Sequence, residues 1–433
     1  MKTIKIFTLF MFFLPAITGF SQFKNVLLPL PKGATYFYSQ VEPSIYINPN
    51  DPAKIVAGSV MNDYYYSKDT GNSWHAKSMY SRFGVNGDPC LLVDQKGFYY
   101  YFHLSNLKGE RLKGGIVCQR SRFLKGRFKR KTHTFINGKF HDKEWAVSNP
   151  INGDIYLTWT QFDAYDSSDP RDRSNILFSK SSNYGKAWSL PVVISKYSGD
   201  CKDDDDTAEG AVPAVGPNGE IYVAWARSEK IYFNKSLDAG STWLPAEKEI
   251  GLQKNGWTLN VPGIYRCNGL PITACDISNS AYRGTIYVNW ADQRNGEDDT
   301  DIWLKKSKDG GENWSAPIKV NSDQQKAQQF FTWMTVDQVT GLVYCVFYDR
   351  RNTKGNETNV YLAVSDNGGT SFKNYKISNS SFLPNPKIFF GDYTNISVHN
   401  GIIRPIWSRL DDTKISLLTA IINQSALLGI SAE

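Results

Sequence analysis

The chain has 433 residues, 49 basic and 42 acidic, for a formal charge of +7, and 41% of them are hydrophobic. That apolar share is enough for a large core and excludes a disordered polyelectrolyte, while six cysteines are too few for a disulfide scaffold. The modest positive excess fits an anionic ligand without requiring one, and with no basic block standing out a nucleic-acid partner is not expected.

Lys2 and Lys5 precede an apolar run from Ile6 to Ile17, and Gly19-Phe20-Ser21 offers small residues for cleavage. Residues 1–21 therefore read as an export signal and residues 22–433 as one exported domain, periplasmic or secreted. No Cys follows the cleavage point to carry a lipid, and no later apolar run is long enough to span a bilayer. A monomer is expected.

From there the chain repeats itself. Second-strand candidates are IVAGSV from Ile55, FYYYFHL from Phe98, DIYLTWT from Asp154, EIYVAWA from Glu220, TIYVNWA from Thr285, LVYCVFY from Leu342 and IIRPIWS from Ile402. Third strands follow from Tyr64, Gly115, Ile176, Ile231, Ile302, Val360 and Ile415, and first strands begin near Glu42, Gly87, Asp142, Glu209, Gly269, Gln329 and Gly391. Five third strands run into an octapeptide, Ser-x-Asp/Asn-x-Gly-x-x-Trp/Phe: SKDTGNSW from Ser67, SSNYGKAW from Ser181, SLDAGSTW from Ser236, SKDGGENW from Ser307 and SDNGGTSF from Ser365. A worn copy, SRFLKGRF from Ser121, has lost the acid and shifted the Gly. Successive starts lie 54, 60, 55, 71 and 58 residues apart, so one unit of nearly constant size recurs. The Asp or Asn caps its own turn, the Gly supplies a positive backbone angle, and the aromatic packs the hairpin, which makes the octapeptide scaffold.

The octapeptide resembles the Asp-box, or bacterial neuraminidase repeat, of sialidase-like β-propellers, and the resemblance covers nearly the whole mature chain. It implies an all-β fold, and the count implies seven four-stranded antiparallel blades. The seventh unit has only three strands of its own, so Phe23 to Leu30 is expected to supply its fourth and close the ring. Six blades, as in sialidases, is the alternative.

If the octapeptides lie on one face, the loops entering first strands and leaving second strands share the other. The long charged segments from Gln161, Ala291 and Tyr348 fall there. First-strand entrances carry Glu42, Asp88, Asp142, Glu144, Glu209 and Asp392; second-strand exits carry Arg227, Arg294, Arg350, Arg351 and Arg409 beside Asp292 and Asp349. Converging arginines could clamp a carboxylate or sulfate while the acids serve sugar hydroxyls or proton transfer. His103 and His141 are placed for acid–base work near one edge of that mouth, with Tyr348 as a further proton carrier. Trp145 and Trp333 could stack on sugar rings. Cys267 and Cys275 are the expected disulfide, if any forms. No cofactor is certain, and Ca²⁺ is the one candidate: DDDDT from Asp203 and NGEDDTD from Asn295 offer oxygen ligands suited to it but lack EF-hand spacing.

Sialidases hold a sugar carboxylate with three arginines, the first ahead of the first Asp-box. Here the first arginine is Arg82, beyond it, and Arg404-Pro405 sits inside a predicted strand of the last unit. The layout also resembles seven-bladed propellers that cleave acidic polysaccharides such as ulvan by β-elimination at a uronic acid. That resemblance implies an exported enzyme acting on an anionic glycan as a lyase or oligosaccharide dehydratase, with a sialidase-like hydrolase or a non-catalytic glycan-binding propeller as the alternatives.

Overall fold

The computed structural model describes residues 23–33, 40–107 and 110–428; the expected export signal of residues 1–21 lies outside them. The chain forms seven four-stranded antiparallel sheets, and apart from the closing strand of the last blade each strand is hydrogen-bonded to its neighbours in sequence. Blade 1 is Val41–Ile47, Ile55–Val60, Asp63–Ser67 and His75–Ser78; blade 2 is Cys90–Val93, Tyr99–Leu107, Glu110–Ser121 and Arg130–Thr134. Blade 3 is Phe140–Ser148, Ile155–Phe162, Ser174–Ser181 and Val192–Val193; blade 4 is Glu209–Val215, Ile221–Arg227, Lys230–Ser236 and Lys248–Leu252. Blade 5 is Ile272–Cys275, Ile286–Asp292, Asp301–Ser307 and Ile318–Lys319; blade 6 is Gln329–Val336, Val343–Asp349, Asn359–Ser365 and Lys373–Lys376. Blade 7 takes Asn395–His399, Ile402–Asp411 and Lys414–Asn423 from the end of the chain and Lys24–Leu27 from its beginning. The protein is thus a seven-bladed β-propeller closed by its N-terminal strand. Asn25 pins that strand to blade 6, donating to the Ile377 carbonyl (2.8 Å) and accepting from the Asn379 N–H (2.8 Å).

Between blades the core is aromatic. Trp159, Trp225, Trp290 and Trp407 occupy corresponding second-strand positions and are fully buried. Among the described residues no helix is long and apolar enough to cross a membrane. All six cysteines are unpaired and buried, so the expected Cys267–Cys275 bridge is not formed. The two fall in different sheets, Cys267 in a small ribbon pairing Thr258–Leu259 with Cys267–Asn268 and Cys275 in blade 5.

Each octapeptide is a closed hydrogen-bonded turn. In the fourth copy, Ser307 Oγ donates to Asp309 Oδ1 (2.8 Å) and accepts the Gly311 N–H (2.9 Å), while Asp309 Oδ1 accepts the Asn313 N–H (2.9 Å). The other four repeat this pattern around Ser67, Ser181, Ser236 and Ser365. The fourth residue of every copy is left-handed: Thr70, Tyr184, Ala239, Gly310 and Gly368 have φ of 56°, 62°, 57°, 69° and 63°.

 That backbone angle turns the fourth carbonyl outward, where a cation of the preceding blade takes it. Arg404 Nε donates to Thr70 O (2.7 Å), Arg120 Nη1 to Tyr184 O (2.5 Å), Lys180 Nζ to Ala239 O (3.0 Å), Lys235 Nζ to Gly310 O (2.8 Å) and Lys306 Nζ to Gly368 O (2.6 Å). Lys77 reaches the worn copy in the same sense, at the Gly126 carbonyl.

This stitch is open to test at Lys235, whose side chain is only 10% exposed and also meets Glu312 at 2.7 Å. Lys235→Met keeps the apolar stem and removes the charged donor. It is expected to cost about 1.5–3 kcal/mol in a denaturant titration; an unchanged midpoint would show that the stitch contributes nothing to stability.

Candidate functional site

The strand register puts the octapeptides on one face and the first-strand starts on the other, since Val41 pairs with Val60 at one end of blade 1 and Ile55 with Ser67 at the opposite end. At the first-strand starts the ladders slip. Extra residues lie between Val41 and Ser44, Asp142 and Trp145, Glu209 and Val212, and Phe330 and Trp333. Within these bulges Glu42, Lys143, Gly210 and Phe331 have φ of 52°, 51°, 81° and 50°, and Asp88, just ahead of blade 2, has 45°. A bulge re-aims a side chain, and left-handed non-glycine residues cost about 1–3 kcal/mol each unless their surroundings fix them. Here they aim charged groups at the axis.

Lys143 of blade 3 crosses the ring to Asp392, at the entrance to blade 7 (2.6 Å), and lies 3.8 Å from Glu42 of blade 1. Arg266, from the excursion between blades 4 and 5, grips the same Asp392 with Nε (2.8 Å) and Nη2, stands 3.9 Å from Asp203, and stacks on Phe389. Tyr393 donates to Asp88 Oδ1 (3.2 Å), Tyr165 to Asp203 Oδ2 (2.6 Å), and Asn268 Nδ2 to the Asp392 carbonyl (2.9 Å). Asp88, Lys143, Glu144, Asn268, Asp392 and Tyr393 line one cavity. Its floor is aromatic: Trp145 and Trp333 pack at 4.2 Å between ring centroids, with Tyr393 against both. Those two tryptophans, expected to be exposed sugar platforms, instead plug the channel.

Charge is distributed unevenly in this basin. Burial, then repulsion from Asp88, pushes the Glu42, Asp142 and Glu144 carboxyls well above the carboxylate range, and burial with Asp203 does the same to Glu209. Burial would raise Asp392 too, but Lys143 and Arg266 outweigh it and hold that carboxyl below its ordinary value. The basin therefore combines one fixed anion, two cations and several carboxyls biased toward their protonated form. Glu144 and Glu209 have no hydrogen-bond partner for any carboxyl oxygen, although all four oxygens are buried.

Of the expected residues, Glu42, Asp88, Asp142, Glu144, Glu209 and Asp392 are brought together. The expected ring of arginines is not, and the reason repeats from blade to blade. Second-strand exits stand one strand away from the axis, and the guanidinium groups fold outward over third-strand aromatic rings: Arg227 over Tyr232, Arg294 over Trp303 and Arg351 over Tyr361. Arg294 is held by Asp292 (2.9 Å) and Arg351 by Asp349 (2.7 Å), while Arg227 lies 3.7 Å from Glu247. Arg409 is taken by Asp411 (2.7 Å) and the Ser380 carbonyl (3.0 Å). Arg350 is buried against Phe330, donating to the Pro262 carbonyl (2.6 Å) and Thr358 Oγ1 (3.1 Å).

The expected proton carriers are also elsewhere. His103 is buried between the Leu104 carbonyl (2.7 Å) and Gln119 Nε2 (3.0 Å); His141 accepts from Trp159 Nε1 at Nδ1 (2.9 Å) and reaches the Ile136 carbonyl (3.2 Å). Burial pulls both imidazoles down to about 4. Tyr348 is buried with its hydroxyl on the Ser408 carbonyl (2.7 Å). Sequence reasoning missed Lys143, Arg266, Tyr165, Asn268 and Tyr393, and offered Asp203 only as a Ca²⁺ ligand. Two signals pointed to three of them: the charged triplet Asp142-Lys143-Glu144 inside an apolar inner-strand pattern, and the 71-residue step that contains Arg266 and Asn268.

Of the two Ca²⁺ candidates, DDDDT contributes Asp203 to the basin. In NGEDDTD, carboxylate oxygens of Asp299 and Asp301 approach one from Asp323 within 4.8 Å, but the Lys319 ammonium lies 2.7 Å from Asp301 and supplies a counter-charge.

No protein-family model matches the chain, and no curated protein matches it. Among solved structures, an ulvan lyase described as a new family of polysaccharide lyase is 14% identical, with a TM-score of 0.54 over 93% of this chain and 96% of that one. The same lyase bound to -[GlcA(1-4)Rha3S]- gives 0.53. A protein of unknown function from Dyadobacter fermentans is 14% identical, with a TM-score of 0.50 over 78% of this chain and 96% of its own. At such identity the likeness is one of fold.

The raised carboxyls fix a sign for the effect of pH on stability. In the folded protein they keep protons that the unfolded chain releases near pH 4, so their contribution is present below that pH and is lost as pH rises through the folded values. The melting temperature is expected to fall as pH rises above about 4, the ordinary carboxylate value, and Glu209→Gln should flatten that fall. An identical slope in the variant would show that Glu209 titrates normally.

Proposed function

We propose that the basin acts on an anionic, uronate-containing glycan by β-elimination, as an exported carbohydrate-active enzyme. The observation that carries this reading is the meeting of Lys143 and Arg266 on Asp392 at the axis, ringed by carboxyls that hold protons. A uronate carboxylate set beside Arg266 gains a partner for the charge that builds up as the proton on C5 leaves. Asp88, an acceptor for Tyr393, takes that proton. The C5–H electron pair becomes the C4=C5 double bond, the C4–O4 bond breaks, and Glu144, biased toward its acid form and free of other partners, gives O4 its proton. Return of a proton from Asp88 to Glu144 resets the pair. The shared fold of a lyase bound to a glucuronate–rhamnose sulfate chain supports the substrate class by analogy.

A hydrolytic reading has one observation of its own. Asp88 stands beside Asp142 and Asp203 beside Glu209, close enough for each to raise its neighbour's carboxyl, and close carboxyl pairs suit glycoside hydrolysis.

Incubation with a sulfated, uronate-containing polysaccharide and its oligosaccharides separates the two. Elimination produces a conjugated double bond that absorbs in the ultraviolet; hydrolysis produces reducing ends without it. Glu144→Gln is expected to lower kcat by about 10²–10⁴-fold, and the half-exposed Arg266→Ala to lower kcat/KM, while His103→Gln leaves turnover unchanged. Reducing ends without absorbance would replace elimination by hydrolysis, and full turnover in Glu144→Gln and Arg266→Ala would remove the basin from the chemistry.

A further inference from the structure

The worn octapeptide has become something the other five are not. Its turn survives on Ser121 Oγ, which accepts the Phe123 N–H (3.0 Å), and on the Gly126 N–H, which donates to the Phe123 carbonyl (2.8 Å). Where the other copies carry Asp or Asn it carries Phe123, among Arg122, Lys125 and Arg127. From Arg120 to Lys131 seven of twelve residues are cationic, and no acidic residue occurs between Glu110 and Asp142. The expectation that the chain has no basic block is therefore corrected.

The fold gathers these charges on the outer edge of blade 2, remote from the axis because Arg130–Thr134 is the outermost strand of its sheet. A shallow groove there is lined by Arg82, Lys129, Arg130, Lys131, Thr132 and Lys186, so every charged group in its wall is a cation. Burial and then repulsion from Arg82 lower Lys131, the mark of like charges held together without compensation. Beside the groove the Tyr80 ring is 76% exposed, with the Lys131 ammonium 4.8 Å from its centroid. Cations on an outer strand also discourage sheet pairing. The outer strands of the other blades manage with at most two, as in KNYK of blade 6, whereas blade 2 adds a cationic turn and Lys186 of blade 3.

We propose that this groove is a second binding site, for a chain of sulfated or carboxylated sugars. Cations set along an outer strand and the segments flanking it match a linear polyanion, and an exposed tyrosine ring beside them offers a face on which a sugar can stack. The choice of a polysaccharide over other polyanions rests on the glycan reading of the axial basin. The groove holds the polymer while the basin, on a different part of the molecule, processes it.

The test is binding of heparin, a sulfated uronate polysaccharide, to the full mature chain and to Arg82→Ser/Arg130→Ser/Lys186→Ser, three exposed positions, with melting temperature as the folding control. The variant is expected to bind heparin about tenfold more weakly or worse at moderate salt, with a shallower dependence of log K on log salt. Its turnover of short uronate oligosaccharides should be unchanged. Equal heparin affinity in the two proteins would overturn the inference, as would tighter binding of duplex DNA or of phosphatidylglycerol vesicles than of heparin by the unaltered protein. Heparin binding that depends on the groove in a protein that turns over no glycan would leave the inference standing and sink the proposed function instead.

Discussion

The ring is held by a cation from one blade on a carbonyl of the next. Each octapeptide bends its fourth residue into the left-handed region, and the carbonyl so exposed has no partner within its own turn. Arg404, Arg120, Lys180, Lys235 and Lys306 supply the partner from the preceding blade. A charged donor is stronger than a neutral one and tolerates small changes of angle, so it suits seven sheets that must meet at nearly equal inclination. Arg404 makes the stitch across the seam, where the last blade in sequence meets the first, and its guanidinium is buried there.

Closure on that face frees the other for irregular backbone. The inner strands bulge where the ladders begin, and residues with strained angles carry charge to the axis from blades that are not neighbours in sequence or in space. Lys143 meeting Asp392 spans 249 residues of chain. A site assembled this way depends on ring closure, because a change in blade inclination would move blades 3 and 7 relative to one another. The aromatic floor of Trp145, Trp333 and Tyr393 excludes the rest of the channel and keeps the basin's dielectric low, which is why its carboxyls retain protons.

Much of the fold was legible because its signals are local. Strand periodicity and the octapeptides gave seven blades, and the lack of an octapeptide after Ile422 pointed to Phe23 to Leu30, within which Lys24–Leu27 is the closing strand. The acids of the basin were legible for the same reason, since Glu42, Asp88, Asp142, Glu144, Glu209 and Asp392 all precede or open inner strands. The arginines misled because position along a strand does not tell direction: Arg227, Arg294 and Arg351 start on the expected face and fold away over Tyr232, Trp303 and Tyr361. Lys143 escaped notice because alternation assigns it to one side of its strand, and a bulge reverses that assignment. Arg266 lies in an excursion whose path depends on contacts with Asp392, 126 residues away.

The account stands on the axial basin being where an acidic sugar binds. A crystal structure of the Glu144→Gln variant soaked with a glucuronate-containing oligosaccharide tests that most directly. The sugar carboxylate is expected beside Arg266 and Lys143, with the ring between Tyr393 and residue 144. A sugar seated on the octapeptide face, or at the outward-folded Arg294 and Arg351 with the basin empty, would contradict it.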